Sequence, residues 1–321
     1  MPCYAPISGY RSRHINPSGK RSIVFDLKSG FQDMPVQVKC GQCIGCRLDY
    51  TRNWAIRCLH ESQTHTENCF ITLTYDDDNL PSDSSLVKHH LQDFFKRLRR
   101  RVEPKKIKYF ACGEYGERYS RPHYHACVFN HDFEDKELWS TKQGVKLYIS
   151  KKLQSIWKKG FSTVGDVTFD SAAYVARYIL KKQNSNTDIN LSDDAYNNAL
   201  LADGKYYTKF SKEHGLMSHP IQPEYTVMSR RPGIAYEWFK KFKHEVFPDD
   251  FVVIDGRKMP PPKYYQYIYE LDPDTNMRVV KKRRKTLSIR RKADNTYDRL
   301  NTREKCAKAK LISKKRNLEE I

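Results

Sequence analysis

The chain has 321 residues, enough for one large domain or two ordinary ones around a well-buried core. Its 58 Lys and Arg against 38 Asp and Glu leave a net charge of +20, and 21 Tyr and 15 Phe are available to stack on bases. A field of that sign concentrates polyanions, so nucleic acid is the leading partner. A membrane is set aside, because no run reaches the length of a spanning helix and no basic amphipathic anchor stands out.

The opening MPCYAPISGYRSRH lacks the apolar core of an export signal. Nine Cys in an unexported chain are expected as thiols or metal ligands, because disulfides do not persist in a reducing cytosol. Residues 1–39 are rich in turn formers and short on helical periodicity, with a strand expected at 22–27. Next comes CGQCIGC at 40–46. Cys40, Cys43 and Cys46 suit a tetrahedral zinc with Cys3 or Cys58 as the fourth ligand. An iron–sulfur cluster uses similar spacing, and unmetallated thiols are the plainer alternative. Nothing beside the cluster looks like a reacting group, so the site reads as structural. Residues 47–63 then carry Leu48, Trp54, Ile56 and Leu59 at helical intervals.

A β-branched and aromatic run predicts a strand at 69–75, and the Asp triplet 76–78 after it reads as a solvated turn. Ser84 or Ser85 is expected to cap a helix over 86–101 with an apolar stripe through Leu91, Phe94, Phe95 and Leu98. Five cations from Lys96 to Arg101 crowd its end, where the helix dipole favours them with or without DNA. The stretch GEYGERYSRPHYHACVF at 113–129 follows. On a strand His123 and His125 project to one face while Tyr124 points away. A hairpin through 116–122 would bring Glu114 beside them, making a two-His, one-carboxylate metal site with open positions. Two half-buried, hydrogen-bonded histidines are the bland alternative.

A helix closed by Gly160 is expected over 147–157 and a strand over 161–169. Strand, helix, hairpin, helix and strand together predict an α+β fold: an antiparallel sheet with helices on one face. Asp170 or Ser171 then starts a helix in which Tyr174 and Tyr178, four apart, share a face that Lys181 and Lys182 continue. Two phenols and an ammonium there suit attack on a phosphodiester. A tyrosine oxygen displaces the 3′ oxygen and keeps the 5′ phosphate as a covalent ester. A phenol is a weak nucleophile at its ordinary pKa near 10, so a divalent metal that polarises the phosphate is the natural complement. A packing stripe is the alternative for a lone Tyr pair, but His-Tyr-His and Glu114 upstream favour chemistry.

These motifs carry a resemblance. FITLT at 70–74, PHYH at 122–125 and YVARYILK at 174–181 resemble, in order, the three motifs of the HUH (His-hydrophobic-His) single-strand endonucleases, across roughly residues 68–182. MPCYAPI, the cysteine cluster and RRPG at 230–233 are similar to replication initiators of small single-stranded DNA phages, the gokushovirus-like microviruses. The resemblance implies a ferredoxin-like nuclease core and rolling-circle initiation by nicking a double-stranded origin. It also implies a Mg²⁺ or Mn²⁺ site held by His123, His125 and Glu114. Imidazole nitrogens lean towards Mn²⁺ and cellular abundance towards Mg²⁺. Two tyrosines would let one cleave the regenerated origin while the other holds the previous 5′ end. Lys181 matches the family's usual lysine, whereas Arg177 stands where relatives often carry Lys. Single-stranded DNA and supercoiled double-stranded replicative-form DNA are the expected partners, in the cytoplasm of a bacterial host. A transposase or relaxase using the same chemistry, or a zinc-stabilised binder without chemistry, are the rivals.

Residues 183–204 read as a polar, loop-dominated link, 235–247 as an aromatic amphipathic helix, and 263–271 as a tyrosine-rich segment after three prolines. Nine of the fifteen residues 278–292 are Lys or Arg and none is acidic, so Arg283, Arg284, Arg290 and Arg291 are expected to neutralise phosphates without reading sequence. Four segments follow: a Cys-bearing 1–66, a nuclease core 67–183, an accessory 184–277, and a basic, partly helical or disordered tail 278–321. No phosphate-binding loop or helicase half is apparent, so strand separation is expected from supercoiling or a host helicase, with a host polymerase extending the nick.

Overall fold

The computed structural model describes residues 3–17, 19–116, 121–142, 144–181, 199–200, 207–211, 215–219 and 222–312. In chain order the first elements are β1 (Ile7–Ile15), β2 (Arg21–Val24), β3 (Gly30–Val38), α1 (Ile44–Ser62), β4 (Asn68–Thr74) and α2 (Lys88–Val102). Then come β5 (Lys108–Tyr115), β6 (Pro122–Phe129), β7 (Glu137–Lys142), β8 (Val145–Ile149), α3 (Lys151–Trp157), β9 (Ser162–Gly165) and α4 (Phe169–Lys181). After α4 lie β10 (Ala199–Leu200), β11 (Tyr207–Ser211), β12 (Gly215–His219), β13 (Tyr225–Met228) and α5 (Tyr236–Val246). The last are β14 (Val252–Ile254), β15 (Arg257–Met259), α6 (Lys263–Leu271), α7 (Arg278–Arg290) and α8 (Tyr297–Ile312). None of the described helices is long and apolar enough to cross a membrane.

Two compact units divide the chain. Among the described residues, one takes those up to Tyr50 together with 282–312, and the other runs Thr51–Lys281. In the first unit, β2-β1-β3 form an antiparallel sheet, where the sequence suggested one strand near 22–27. The extra strands escape a pattern reading because β1 and β3 are largely exposed and carry little alternation.

The second unit is built on a seven-stranded sheet in the order β13-β5-β6-β4-β9-β8-β7, antiparallel throughout its pairings. Alternation along the strands sorts its two faces. Ile71 and Leu73 of β4 and Tyr124, Ala126 and Val128 of β6 pack against Leu91, Phe94 and Leu98 of α2 and Leu153, Ile156 and Trp157 of α3. Phe70, Phe110, Cys127 and Phe129 turn the other way, onto Trp54 and Cys58 of α1 and Ala172, Val175 and Ala176 of α4. The fold is therefore α+β with antiparallel strands as expected, but helices flank both faces. A one-faced sheet would have left that second apolar face in water, at roughly 1.5–3 kcal/mol per large side chain. A third cluster joins Phe239, Phe247, Tyr265, Tyr269 and Val280 of the later helices to Ile56 of α1.

Several boundaries move for local reasons. Helix α2 begins at Lys88, without a side-chain cap, because Val87 is held extended by the Tyr124 hydroxyl. That hydroxyl accepts from Val87 N and donates to Val87 O, both at 3.0 Å. The predicted helix over 147–157 is half strand: β8 runs to Ile149, and Ser150 caps α3 by accepting from Leu153 N at 3.0 Å. Lys158, not Gly160, takes the left-handed position that ends α3. Gly160 serves a different need: at φ +132° it lies so close to β4 that a Cβ would sit 2.2 Å from Asp76 N. The strand predicted over 161–169 stops at Gly165. Thr168 and Ser171 then exchange side-chain bonds with each other's amides at 3.1 and 2.8 Å, capping α4. Edge strands β7 and β13 were not anticipated, and β13 draws the chain beyond residue 222 into the core sheet. The expected disordered or partly helical tail is helical in α7 and α8, and its residues 313–321 lie outside those described.

Candidate active site

The β5–β6 hairpin pairs Glu114 with His123, and Cys112 with His125. On the other side of β6, β4 pairs Thr72 with His125 and Thr74 with His123. Residues opposite each other point to one face, so the carboxylate and both imidazoles meet on the face that α4 covers. Glu114 Oε1 lies 2.7 Å from His123 Nε2 and 2.9 Å from His125 Nε2. Tyr174, from α4, donates its hydroxyl to the same oxygen at 3.0 Å. All four side chains are buried or nearly so, and Glu114 Oε2 is buried with no hydrogen-bond partner.

Burial opposes charge on Glu114, but the two imidazoles override it and hold the carboxyl at about 2. Burial also works against His123⁺, yet the Glu114 bond raises its pKa; at fully enclosed His125 burial wins and the pKa falls. His123 Nδ1 is 2.9 Å from Arg121 O, which can only accept, so Nδ1 carries the proton and Nε2 is the nitrogen left to ligate. Thr72 Oγ1, 2.9 Å from His125 Nδ1, orients the second ring in the same way, and Phe70 stacks on it with centroids 5.6 Å apart. Phe70 and Thr72 belong to the first motif, but their contacts with His125 could be found only from the β4–β6 register. The three donors of Glu114, His123 and His125 lie within 4.8 Å of one another, a set that fits a divalent cation.

The structure thus brings together Glu114, His123, His125 and Tyr174. Tyr178 and Lys181 sit on the backbone of α4, one and two turns on, but their side chains lie outside the described residues. In the other compact unit, Cys3, Cys40, Cys43 and Cys46 gather with their sulfurs within 4.8 Å of one another. Cys3 Sγ is 3.5 Å from Cys40 Sγ and 3.9 Å from Cys43 Sγ. Backbone N–H groups of Tyr4, Cys40 and Cys43 point at these sulfurs from 3.2–3.3 Å. Against the penalty of burial, the amides of Tyr4 and Cys46 lower Cys43 to about 7. Cys58, the alternative fourth ligand, is corrected: it is fully buried in the apolar layer beneath α1. Arg283 and Arg290 lie on exposed turns of α7 with Arg291 just beyond it, and Arg284 is half-buried.

The family model for replication-associated protein ORF2/G2P matches residues 68–183. The chain is similar to replication-associated protein VP4 of Bdellovibrio phage phiMH2K, with 35% identity over 280 residues that cover 84% of this chain and 78% of that protein. Replication-associated protein ORF2 of Spiroplasma virus 4 is 32% identical over 241 residues, covering 71% of this chain and 66% of that one. Replication-associated protein ORF4 of Chlamydia phage 1 is 36% identical over 168 residues, or 49% and 42% of the two chains. No solved structure matches.

Proposed function

The chain belongs to the phage replication-associated protein ORF2/G2P family, and on that premise we propose that it initiates rolling-circle replication by nicking one DNA strand at an origin. The observation that carries the reading is the convergence of the Tyr174 hydroxyl and both imidazoles on one carboxylate oxygen, Glu114 Oε1. The donor set of Glu114, His123 and His125 fits Mg²⁺ or Mn²⁺, and the orphaned Glu114 Oε2 is a further oxygen free for a cation. These residues would hold such a cation where it would supply Lewis-acid polarisation of the scissile phosphate and offset charge on the leaving oxygen.

Tyr174 Oη attacks phosphorus, the bond from phosphorus to the 3′ oxygen breaks, and the 5′ phosphate stays esterified to the tyrosine. Glu114 orients the phenol; with its pKa near 2 it is a poor store for the released proton, which passes on to water. Lys181 protonates the leaving 3′ oxygen, and Tyr178 serves as the second nucleophile when the ends are later rejoined. Zinc held by Cys3, Cys40, Cys43 and Cys46 would be structural, since four thiols and inward-pointing amides fit a closed site. Arg283, Arg284, Arg290 and Arg291 hold the DNA backbone. The substrates are single-stranded DNA and supercoiled replicative-form DNA in the bacterial cytoplasm, with host helicase and polymerase completing the work.

The test uses labelled single-stranded DNA of varied sequence with Mg²⁺, Mn²⁺ or chelator on a denaturing gel. A metal-dependent band shifted by the mass of the protein is expected. Binding without an adduct under every metal would overturn the nuclease and leave a zinc-stabilised DNA binder.

A further inference from the structure

The sheet carries one more feature in line with the metal ligands. Pairing of β4 with the chain leading into β9 continues past the strand ends, with Thr74 N bonded to Phe161 O at 2.9 Å and Asp76 N to Lys159 O at 3.0 Å. The register that sets Leu73 opposite Ser162 sets Thr74 opposite Phe161. Thr74 is opposite His123, and His123 opposite Glu114. These four residues form one row across the sheet and share a face, so Phe161 lies two strand spacings, about 10 Å, from His123.

Phe161 is not covered there. It is 39% exposed, and Trp139, 51% exposed, leans on it with ring centroids 5.1 Å apart. Leu138 opposes Tyr148 and Ser140 opposes Leu147, which makes Trp139 the extra residue of a β-bulge. A bulge re-aims a side chain, and bulges gather beside active sites. Lys158 and Lys159 precede Phe161 with Gly160 between, and the whole chain is strongly basic. Aromatic faces beside cations, next to a site that handles phosphodiesters, match a single strand, because every base offers a π-face and every phosphate a charge.

We propose that Phe161 and Trp139 form a stacking platform for the bases nearest the scissile phosphate of single-stranded DNA. The proposal rests on the nuclease reading for its register with the cleavage point, but base stacking needs no chemistry, so the two are separable. Trp139 is the most exposed of the four tryptophans, with Trp54 and Trp157 buried and Trp238 half-buried, so its emission reports contact directly.

The experiment titrates the full-length protein with an oligodeoxythymidine single strand in chelator, following anisotropy of a labelled strand and tryptophan emission. Wild type, Trp139→Leu, Phe161→Leu and the conservative Trp139→Phe are compared, each checked for an unchanged thermal midpoint. Single-strand affinity is expected to fall roughly tenfold for each Leu variant and to be largely kept by Trp139→Phe, with double-strand affinity unmoved. DNA-induced quenching is expected in the wild type and absent from both Trp139 variants. Loss of affinity with the rings, even where the wild type forms no covalent adduct, supports the platform and fails the nuclease alone. Unchanged affinity and unquenched emission in a protein that does form the adduct overturn the platform, and would leave the exposed edge strand β7 as a protein-docking surface.

Discussion

Tyr174 and Glu114 come from elements 60 residues apart and meet at 3.0 Å, phenol hydroxyl to carboxylate oxygen. The contact sets a helix-borne phenol against the β5 end of the row that Glu114, His123 and Thr74 form across β5, β6 and β4. Tyr174→Phe removes the proposed nucleophile while keeping the ring that packs edge-on to His125. Covalent adduct at the first cleavage should vanish, while stability should fall by about 2 kcal/mol for the missing hydrogen bond to a buried carboxylate. Adduct gels and denaturant midpoints on the same preparation check both halves. Adduct persisting at wild-type yield would move the first attack to Tyr178.

Thr72 meets the site through His125 Nδ1, at 2.9 Å. Thr72→Val keeps the shape and deletes the hydroxyl that orients the ring. Mn²⁺ affinity, read by electron paramagnetic resonance, should weaken roughly 10–100-fold, the usual cost of losing such a partner. An unchanged affinity would show that β-sheet packing alone orients His125.

Zinc analysis should return one ion per chain. Cys306 is exposed, whereas Cys3, Cys40 and Cys43 are half-buried and Cys46 is buried. Chelation should therefore make these four thiols reactive towards a thiol reagent in addition to Cys306, and should lower the thermal midpoint. No metal and no change on chelation would reduce the cluster to free thiols.

Replacing Arg283, Arg284, Arg290 and Arg291 with Gln should weaken DNA binding evenly across sequences. The slope of log affinity against log salt should shrink by roughly 0.7 for each single-strand phosphate that an arginine no longer neutralises. A change confined to one sequence would instead mark base readout.

His60 supplies a pH dependence. Burial holds it far down, at about 3 against an ordinary 6.5, with its ring stacked on Trp238 and Nδ1 2.7 Å from the Tyr265 hydroxyl. Between those values the unfolded chain binds a proton that the folded protein does not, so stability declines as pH falls from 6.5 towards 3. At pH 5 the loss is about 2 kcal/mol. Denaturation midpoints from pH 7 to 5 should fall in the wild type, and His60→Phe should flatten that slope by close to one proton.

Much of the candidate site could be read locally. His123 and His125 are two apart on a strand, and Tyr174 lies on a helix whose apolar face is plain in the sequence, so each element announces its own period. Cys40, Cys43 and Cys46 are as close in sequence as in space, whereas their fourth partner was ambiguous because Cys3 lies 37 residues before Cys40. Strand β13 and the second helical layer were illegible for a related reason. Tyr225 pairs with Gly113 across more than a hundred residues, and nothing in the four residues of β13 names that partner.

The sequence by itself determined which side chains could do chemistry, the charge that selects a polyanion, and the periods of strand and helix that aim each residue. Only the tertiary structure decided which of them share an oxygen atom. It set Glu114 opposite His123 and Thr72 opposite His125, brought Tyr174 down onto Glu114, chose Cys3 over Cys58, and put Phe161 in line with Glu114 and His123. The reason is physical. Period is a property of neighbours along the chain, while register is settled by hydrogen bonds and buried area between strands that meet only after folding.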